Sequence, residues 1–179
     1  MERDEVEAAV RAAFAGVRLG GGISLRQAQA ADTWGDDHTE AEWRALPRGE
    51  VTDDWSLVPE AELRRDGTAY LDEQGLRYYL PAFMLWLLDH YVNVYVTADE
   101  RLLDSEPEMA IIGTLSAIAP GKEERAVRYA VFDGYTPQQR AAIAAYVEAL
   151  PRLVELDHMD ATLVERAIRD YWGRFLPPG

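Results

Sequence analysis

The side chains that could do chemistry in this chain of 179 residues are three histidines, each directly preceded by an aspartate: Asp37-His38, Asp89-His90 and Asp157-His158. Imidazoles and carboxylates bind divalent metals, and a carboxylate can orient a histidine as a general base. Neighbours on a helix point about 100° apart, however, so the adjacent aspartate is rarely the partner of its histidine in space. No His-x-x-x-His or similar metal-binding spacing occurs. We therefore expect no catalytic residue, no metal and no cofactor, and keep a small hydrolase or metal-dependent enzyme using the Asp/His pairs as the alternative function.

Other sequence signatures of catalysis are missing. The chain has no cysteine, which excludes disulfides, thiolate catalysis and Cys-ligated zinc. Gly20-Gly21-Gly22 is not a phosphate-binding loop, because no Lys-Ser or Lys-Thr follows it. The Gly-x-Ser-x-Gly elbow of the serine hydrolases does not occur.

The most unusual segment covers residues 32–62. Ten acidic residues lie there against two basic ones, Arg44 and Arg48, and so do three of the five tryptophans. Tryptophan is common at interface hot spots, and clustered charge steers partners of opposite sign. The segment predicts a surface that binds a basic protein partner, formed by Trp34, Asp36, Asp37, Trp43, Asp53, Asp54 and Trp55. The alternative is that the tryptophans pack short helices onto the core while the acids face water.

The overall charge points the same way. The chain has 32 acidic and 18 basic residues, a net charge of -14. Such a charge repels phosphate backbones and anionic membrane surfaces, so we expect neither nucleic acid nor membrane as partner. The first residues are not a basic start followed by an apolar run, and the most apolar stretch, residues 80–88, is shorter than the roughly 20 residues of a spanning helix. These features predict a cytoplasmic protein.

The elements that must position these side chains are mostly helical. Residues 70–91 are apolar nearly all round a helix, which is typical of a buried central helix. We expect a kink or break at Pro81, with Pro81 in the first turn of a second piece. We assign structural roles to Arg77, Tyr79 and Pro81: a buried arginine needs a carboxylate or carbonyls, so Arg77 either belongs to a pair that fixes the bend or binds an anion in a pocket.

Amphipathic patterns and capping residues predict further helices at 2–15, from Ser24, from Thr39, from Pro59, from Thr136-Pro137 and from a cap at Asp160. Val92, Val94 and Val96 alternate with other residues as in a strand, and 109–119 and 125–132 fit either strand or helix. We therefore predict a mainly α fold, a single compact helical domain over residues 1–179. It has a flexible glycine joint at 20–22 and room for a small two- or three-stranded sheet.

Two segments resemble a known family. They are YLDEQGLRYYLPAFM at residues 70–84 and YTPQQ, with the helix after it, at 135–150. These segments resemble the two main blocks of an uncharacterised bacterial domain-of-unknown-function family. The resemblance leaves residues 18–45 and the tail after Leu150 unmatched. It implies a shared bacterial fold, and no activity or catalytic residue.

Together these observations lead us to expect a non-enzymatic cytoplasmic binding protein with an acidic, tryptophan-bearing surface for a basic protein. An immunity-type inhibitor fits this description by analogy of charge and size.

Overall fold

The chain is described here from a computed structural model, in residues 1–34, 39–65, 67–91 and 105–177. Within these ranges it forms nine α-helices: α1 (Arg3–Ala13), α2 (Leu25–Trp34), α3 (Glu40–Ala45), α4 (Glu60–Leu63), α5 (Glu73–His90), α6 (Ser105–Ile118), α7 (Arg125–Asp133), α8 (Pro137–Leu153) and α9 (His158–Asp170). Short 3-10 helices cover Trp55–Leu57, Thr68–Tyr70 and Trp172–Phe175. The prediction of a mainly α fold is therefore confirmed.

The predicted sheet is not supported. The two ambiguous segments are both helical, since 109–119 falls almost wholly in α6 and 125–132 lies in α7. No strand occurs in the ranges that the structure describes. The alternating valines at 92, 94 and 96 lie outside those ranges.

Capping side chains begin the helices largely where the sequence predicts. Thr136 accepts a hydrogen bond from the Gln139 amide at 3.2 Å, and the Gln139 side chain accepts one from the Thr136 amide at 3.1 Å, which opens α8. The same reciprocal pairs precede α2, at Ser24 and Gln27, and α3, at Thr39 and Glu42. These pairs satisfy amides that a helix leaves without internal partners.

The cap of the last helix was predicted one turn too late. Asp157 precedes α9, and its Oδ1 accepts a hydrogen bond from the Asp160 amide at 2.8 Å. Asp160 therefore lies inside the first turn. Both aspartates satisfy the sequence rule for a cap, and only the backbone position distinguishes them.

Helix α5 forms the centre of the molecule. It runs unbroken from Glu73 to His90 with Pro81 inside it, so Pro81 does not begin a second piece, while a kink there stays a prediction. Proline there leaves the carbonyl of Arg77 without its usual amide donor. Burial compensates, because Tyr78, Leu80, Phe83 and Leu87 are each 0% exposed. The helix packs against α1, α4, α6 and the 3-10 helix at Trp55–Leu57.

The first and eighth helices pack together although they are far apart in the sequence. Val6, Val10 and Phe14 form the buried stripe of α1, and Ile143, Tyr146 and Val147 belong to that of α8. The Tyr146 hydroxyl donates to the Met84 carbonyl at 2.7 Å, which joins α8 to α5. An aromatic cluster covers the far end of α8: Tyr129, Phe132, Tyr171, Trp172 and Phe175.

The glycine turn at 20–22 is tied to the start of α5. The carbonyls of Gly21 and Gly22 accept hydrogen bonds from Arg44 at 3.0 Å and Arg48 at 2.9 Å. Asp72 caps α5 through the Gly75 amide at 2.8 Å, and its carboxylate also binds the Ile23 amide and the Arg44 guanidinium. A flexible joint at 20–22, like the single domain over 1–179, stays a prediction.

Candidate protein-binding surface

The acidic segment contains one tryptophan that belongs to the core. Trp55 is 4% exposed, and its indole nitrogen donates to the Phe14 carbonyl at 2.9 Å. This hydrogen bond satisfies the polar end of a side chain that is otherwise surrounded by apolar groups. The structure thus gives Trp55 the packing role that the sequence left open, and such a buried side chain offers little contact area to a partner.

The other predicted binding residues are only partly placed. Trp43 is half-buried on α3, with its ring edge-on to Tyr70 at a centroid distance of 5.7 Å. Trp34 ends α2, and its side chain lies outside the described part of the structure, as do Asp36 and Asp37. The binding role of these four residues stays a prediction.

Asp53 and Asp54 are exposed, in positions fixed by local hydrogen bonds. Asp54 Oδ1 accepts from the Ser56 amide at 2.9 Å and from the Ser56 hydroxyl at 2.8 Å. These two hydrogen bonds lower the pKa of Asp54, which keeps the carboxyl ionised. Asp53 pairs with Arg18 at 3.2 Å, and both side chains are largely exposed. Each aspartate thus presents charge to solvent from a defined place.

We call residues 50–62 the acidic loop, because they include five acids and no base. Two hydrogen bonds fix it to the core: the buried one from the Trp55 indole, and the partly buried one from the Tyr78 hydroxyl, which donates to the Thr52 carbonyl at 2.6 Å. Two residues after Trp55 the loop presents Leu57, which is 66% exposed. The exposed apolar residue of the loop is therefore Leu57 rather than Trp55.

A cleft of about 460 Å³ opens beside the acidic loop. Its lining includes Glu50 and Val51 from the loop, Glu62 at the loop's end, and Tyr79 from α5. Tyr79 is 4% exposed, and this burial raises the pKa of its phenol to about 12. Tyr79 is therefore a neutral, buried side chain at neutral pH, and the structural role assigned to it stays a prediction.

The Asp/His pairs do not form a common site in the described residues. His90 stacks on Trp86 at 4.5 Å, while its Nδ1 lies 2.9 Å from the Trp86 carbonyl and its Nε2 lies 3.2 Å from Glu60. His158 is exposed in the first turn of α9. His38 lies outside the described residues. Within the described ranges, no three His, Asp or Glu side chains are grouped as metal ligands would be.

Arg77 is held by neutral partners rather than by a carboxylate. Its Nε donates to Gln139 Oε1 at 3.1 Å, and its guanidinium lies over the Tyr135 ring at 5.6 Å. Its contacts are thus an amide and an aromatic ring, and the structural role at the bend stays a prediction. Arg77 links the two segments that carry the family resemblance, one at the start of α5 and the other at the start of α8.

Sequence reasoning missed Leu57 because the 3-10 helix that carries it has only three residues. So short an element has no hydrophobic period that distinguishes inward from outward positions. The Asp54 cap is visible in the sequence as Asp-x-Ser, and it was the signal that could have placed Trp55 and Leu57 in one turn.

The chain belongs to a family of unknown function, DUF6714, whose model matches residues 2–175. The match covers the segments that the sequence resemblance left out, including 18–45 and most of the tail after Leu150. Neither the curated proteins nor the solved structures gave a match to the chain. Across the described residues, no helix has both the length and the apolar character that crossing a membrane requires.

Proposed function

We propose that this protein is a non-enzymatic binding protein whose acidic loop docks on a basic protein partner. One observation carries the proposal: the loop presents an exposed Leu57 among five acids and no base, on a backbone that two hydrogen bonds fix to the core. An exposed apolar side chain ringed by charge is the usual arrangement of an interface centre and its rim.

The fixed backbone of the acidic loop also favours binding. Binding costs less free energy when a loop is already ordered, because less conformational entropy is lost on association. The Trp55 and Tyr78 hydrogen bonds and the Asp54 cap hold the loop at residues 52–56, directly before Leu57. The carboxylates steer a basic partner toward the loop, over a screening distance of about 8 Å at physiological salt.

An immunity-type inhibitor, which would block a basic enzyme in this way, and a cytoplasmic location are both part of the proposal. The alternative of a small hydrolase or metal-dependent enzyme has no specific observation behind it in the described ranges. The His90 ring is engaged by Trp86 and Glu60, and His158 lies at a helix end on the surface.

Crosslinking would identify the partner and test the surface together. A photoreactive phenylalanine analogue replaces Leu57 in one variant and Val127 in the other. Val127 is a matched control, because it is 73% exposed and lies between Arg125 and Arg128. We expect a crosslinked basic protein at position 57 and none at 127. Equal yields at both positions would contradict the proposal.

The rates of binding to the protein identified by crosslinking then separate the contribution of charge from that of apolar packing. Replacing Glu50, Asp53 and Asp54 by their amides should slow association and flatten its salt dependence. The control is Glu123→Gln, Glu124→Gln and Glu165→Gln together, which changes the net charge equally at exposed sites away from the loop.

The apolar contact is tested by Leu57→Ala, which should mainly speed dissociation. Trp55→Ala should instead cost about 3–5 kcal/mol of folding free energy, because it empties part of the core. Surface plasmon resonance at two salt concentrations measures both rates. If the loop triple variant and the control triple variant behave alike, the acidic loop is only a solvated surface.

A further inference from the structure

A second cleft, of about 420 Å³, lies where the end of α1 meets the starts of α5 and α8. Two arginines, three glutamines and one threonine supply its polar lining: Arg18, Arg77, Gln74, Gln138, Gln139 and Thr136. Among the residues that the structure describes, no acid lines this cleft, which in a chain of net charge -14 is a local reversal of charge.

Two contacts hold the Arg77 guanidinium. Its Nε donates to Gln139 Oε1, and its central carbon lies over the Tyr135 ring, 5.6 Å from the centroid. Gln139, which is 2% exposed, is itself fixed by the reciprocal pair with Thr136. Within the described residues, the two terminal nitrogens of Arg77 have no hydrogen-bond partner. A planar fork with two free donors fits the oxygens of a tetrahedral or planar oxyanion.

Arg18, the second arginine, contributes positive charge, and its side chain is less constrained than that of Arg77. Arg18 pairs with Asp53 through Nη1, and its side chain is 67% exposed. It can turn toward an anion in the cleft, because exposed ion pairs contribute little free energy. Two guanidinium groups match the charge of a dianion better than that of a single carboxylate.

The apolar part of the cleft lining consists of small residues, and we call it the alanine wall. It is formed by Ala12, Ala13, Ala15, Gly16 and Val17. The volume lies within the range of about 300–1,000 Å³ that is usual for small-molecule sites, so there is room for a neutral part beside a charged group. We propose that this cleft binds a small phosphate monoester, with the phosphate on Arg77 and Arg18 and the neutral part against the alanine wall.

The test is a titration followed by ¹H–¹⁵N NMR, with glycerol 3-phosphate as the probe. We expect saturable shifts of the Arg77 Nε–H signal and of the Gln138 and Gln139 amides. Inorganic phosphate should bind more weakly, because it leaves the alanine wall uncovered, and glycerol should not bind. Potassium chloride at equal ionic strength must not reproduce the shifts; if it does, the proposal is wrong.

Four variants locate the site. Arg77→Gln should weaken binding about tenfold, the equivalent of one charge-assisted contact of about 1.4 kcal/mol. Arg18→Gln should weaken it by a smaller factor and is expected to fold, because that side chain is exposed. Glu73→Gln should tighten binding, since it removes a carboxylate that lies against Gly134 near the cleft. Arg65→Gln is the matched control, with an exposed side chain outside the cleft.

Three results with these variants and probes would overturn the proposal. One is unchanged affinity in both Arg77→Gln and Arg18→Gln. Another is an equal loss in Arg65→Gln, which would indicate a response to net charge alone. Inorganic phosphate binding as tightly as glycerol 3-phosphate would also contradict it, because the site would then accept the anion without the neutral part.

Discussion

Gly75 lies where two segments of backbone meet at the start of α5. A Cβ atom there would stand 2.5 Å from the Ile23 carbonyl oxygen and 2.9 Å from Asp72 Oδ1. The Ile23 oxygen belongs to the backbone, and Asp72 is held by its cap and by Arg44. Glycine is therefore required at this position, because there is no space for a Cβ atom.

We expect Gly75→Ala to cost about 1–3 kcal/mol of folding free energy, the usual result of overpacking. Gly134→Ala is the control. Its added methyl would meet the end of the Glu73 side chain, which is exposed and can rotate away, so the change should stay within about 0.5 kcal/mol. Urea denaturation of both variants measures the difference. Similar losses in the two variants would mean that the turn at 20–23 does not pack against α5.

Asp160 makes stability depend on pH. Burial raises its pKa above the ordinary 3.8, and the hydrogen bond from Tyr91, 2.8 Å long, only partly opposes this. The nearby Asp157 carboxylate also raises it. The ionised form is thus disfavoured in the fold. The stability should fall as the pH rises from the ordinary pKa through the folded pKa, and stay lower above it.

Asp160→Asn removes this penalty and keeps an oxygen to accept the Tyr91 hydrogen bond. We expect the variant to be more stable than the parent protein at pH 7, with a difference that shrinks toward zero below about pH 4. Urea unfolding at both pH values checks this. A difference that is the same at both would show that the carboxyl is not perturbed by burial.

At the scale of elements, α5 organises the core. Leu87 is 0% exposed on this helix, and Leu87→Ala should cost about 2–5 kcal/mol, since it leaves a cavity in close-packed surroundings. Val127→Ala on α7 is a suitable control, because Val127 is 73% exposed. Chemical denaturation measures both changes. A loss well below 1 kcal/mol for Leu87→Ala would show that α5 is not the central helix.

The sequence predicted the helices that have strong local signals. Thr136-Pro137-Gln139 and Thr39-Glu42 mark their helix starts because the capping contacts are made within one turn. Residues 125–132 were ambiguous because Val127, Tyr129 and Val131 alternate, yet Val127 faces solvent. The buried side chains of α7 are Tyr129 and Phe132, which have helical spacing. Which of the alternating residues is buried depends on tertiary contacts.

The candidate sites were less predictable for the same reason. The acidic loop is visible in the sequence as charge, but the direction of Trp55 depends on the Phe14 carbonyl, 41 residues away. The cleft at Arg77 depends on Gln139, 62 residues away. Contacts over such separations leave no local pattern.

On the scale of the whole molecule, charge is unevenly distributed. The acidic loop has no base, and no acid of the described ranges lines the cleft at Arg77, although the net charge is -14. The Arg18–Asp53 ion pair joins these two regions, because Arg18 lines the cleft and Asp53 belongs to the loop. A ligand that draws Arg18 into the cleft would leave Asp53 unpaired and make the loop more negative. By thermodynamic linkage, a basic partner bound to the loop would then raise the affinity of the cleft for the same ligand.

The packing of α1 on α8 has a consequence for how the chain is made. The ribosome releases α1 first, but the helix that covers its apolar stripe is complete only at Leu153. At about 5–20 residues per second, Val6, Val10 and Phe14 emerge roughly 7–30 seconds before that partner exists. During that interval the stripe lacks the apolar surface of α8 that covers it in the finished fold.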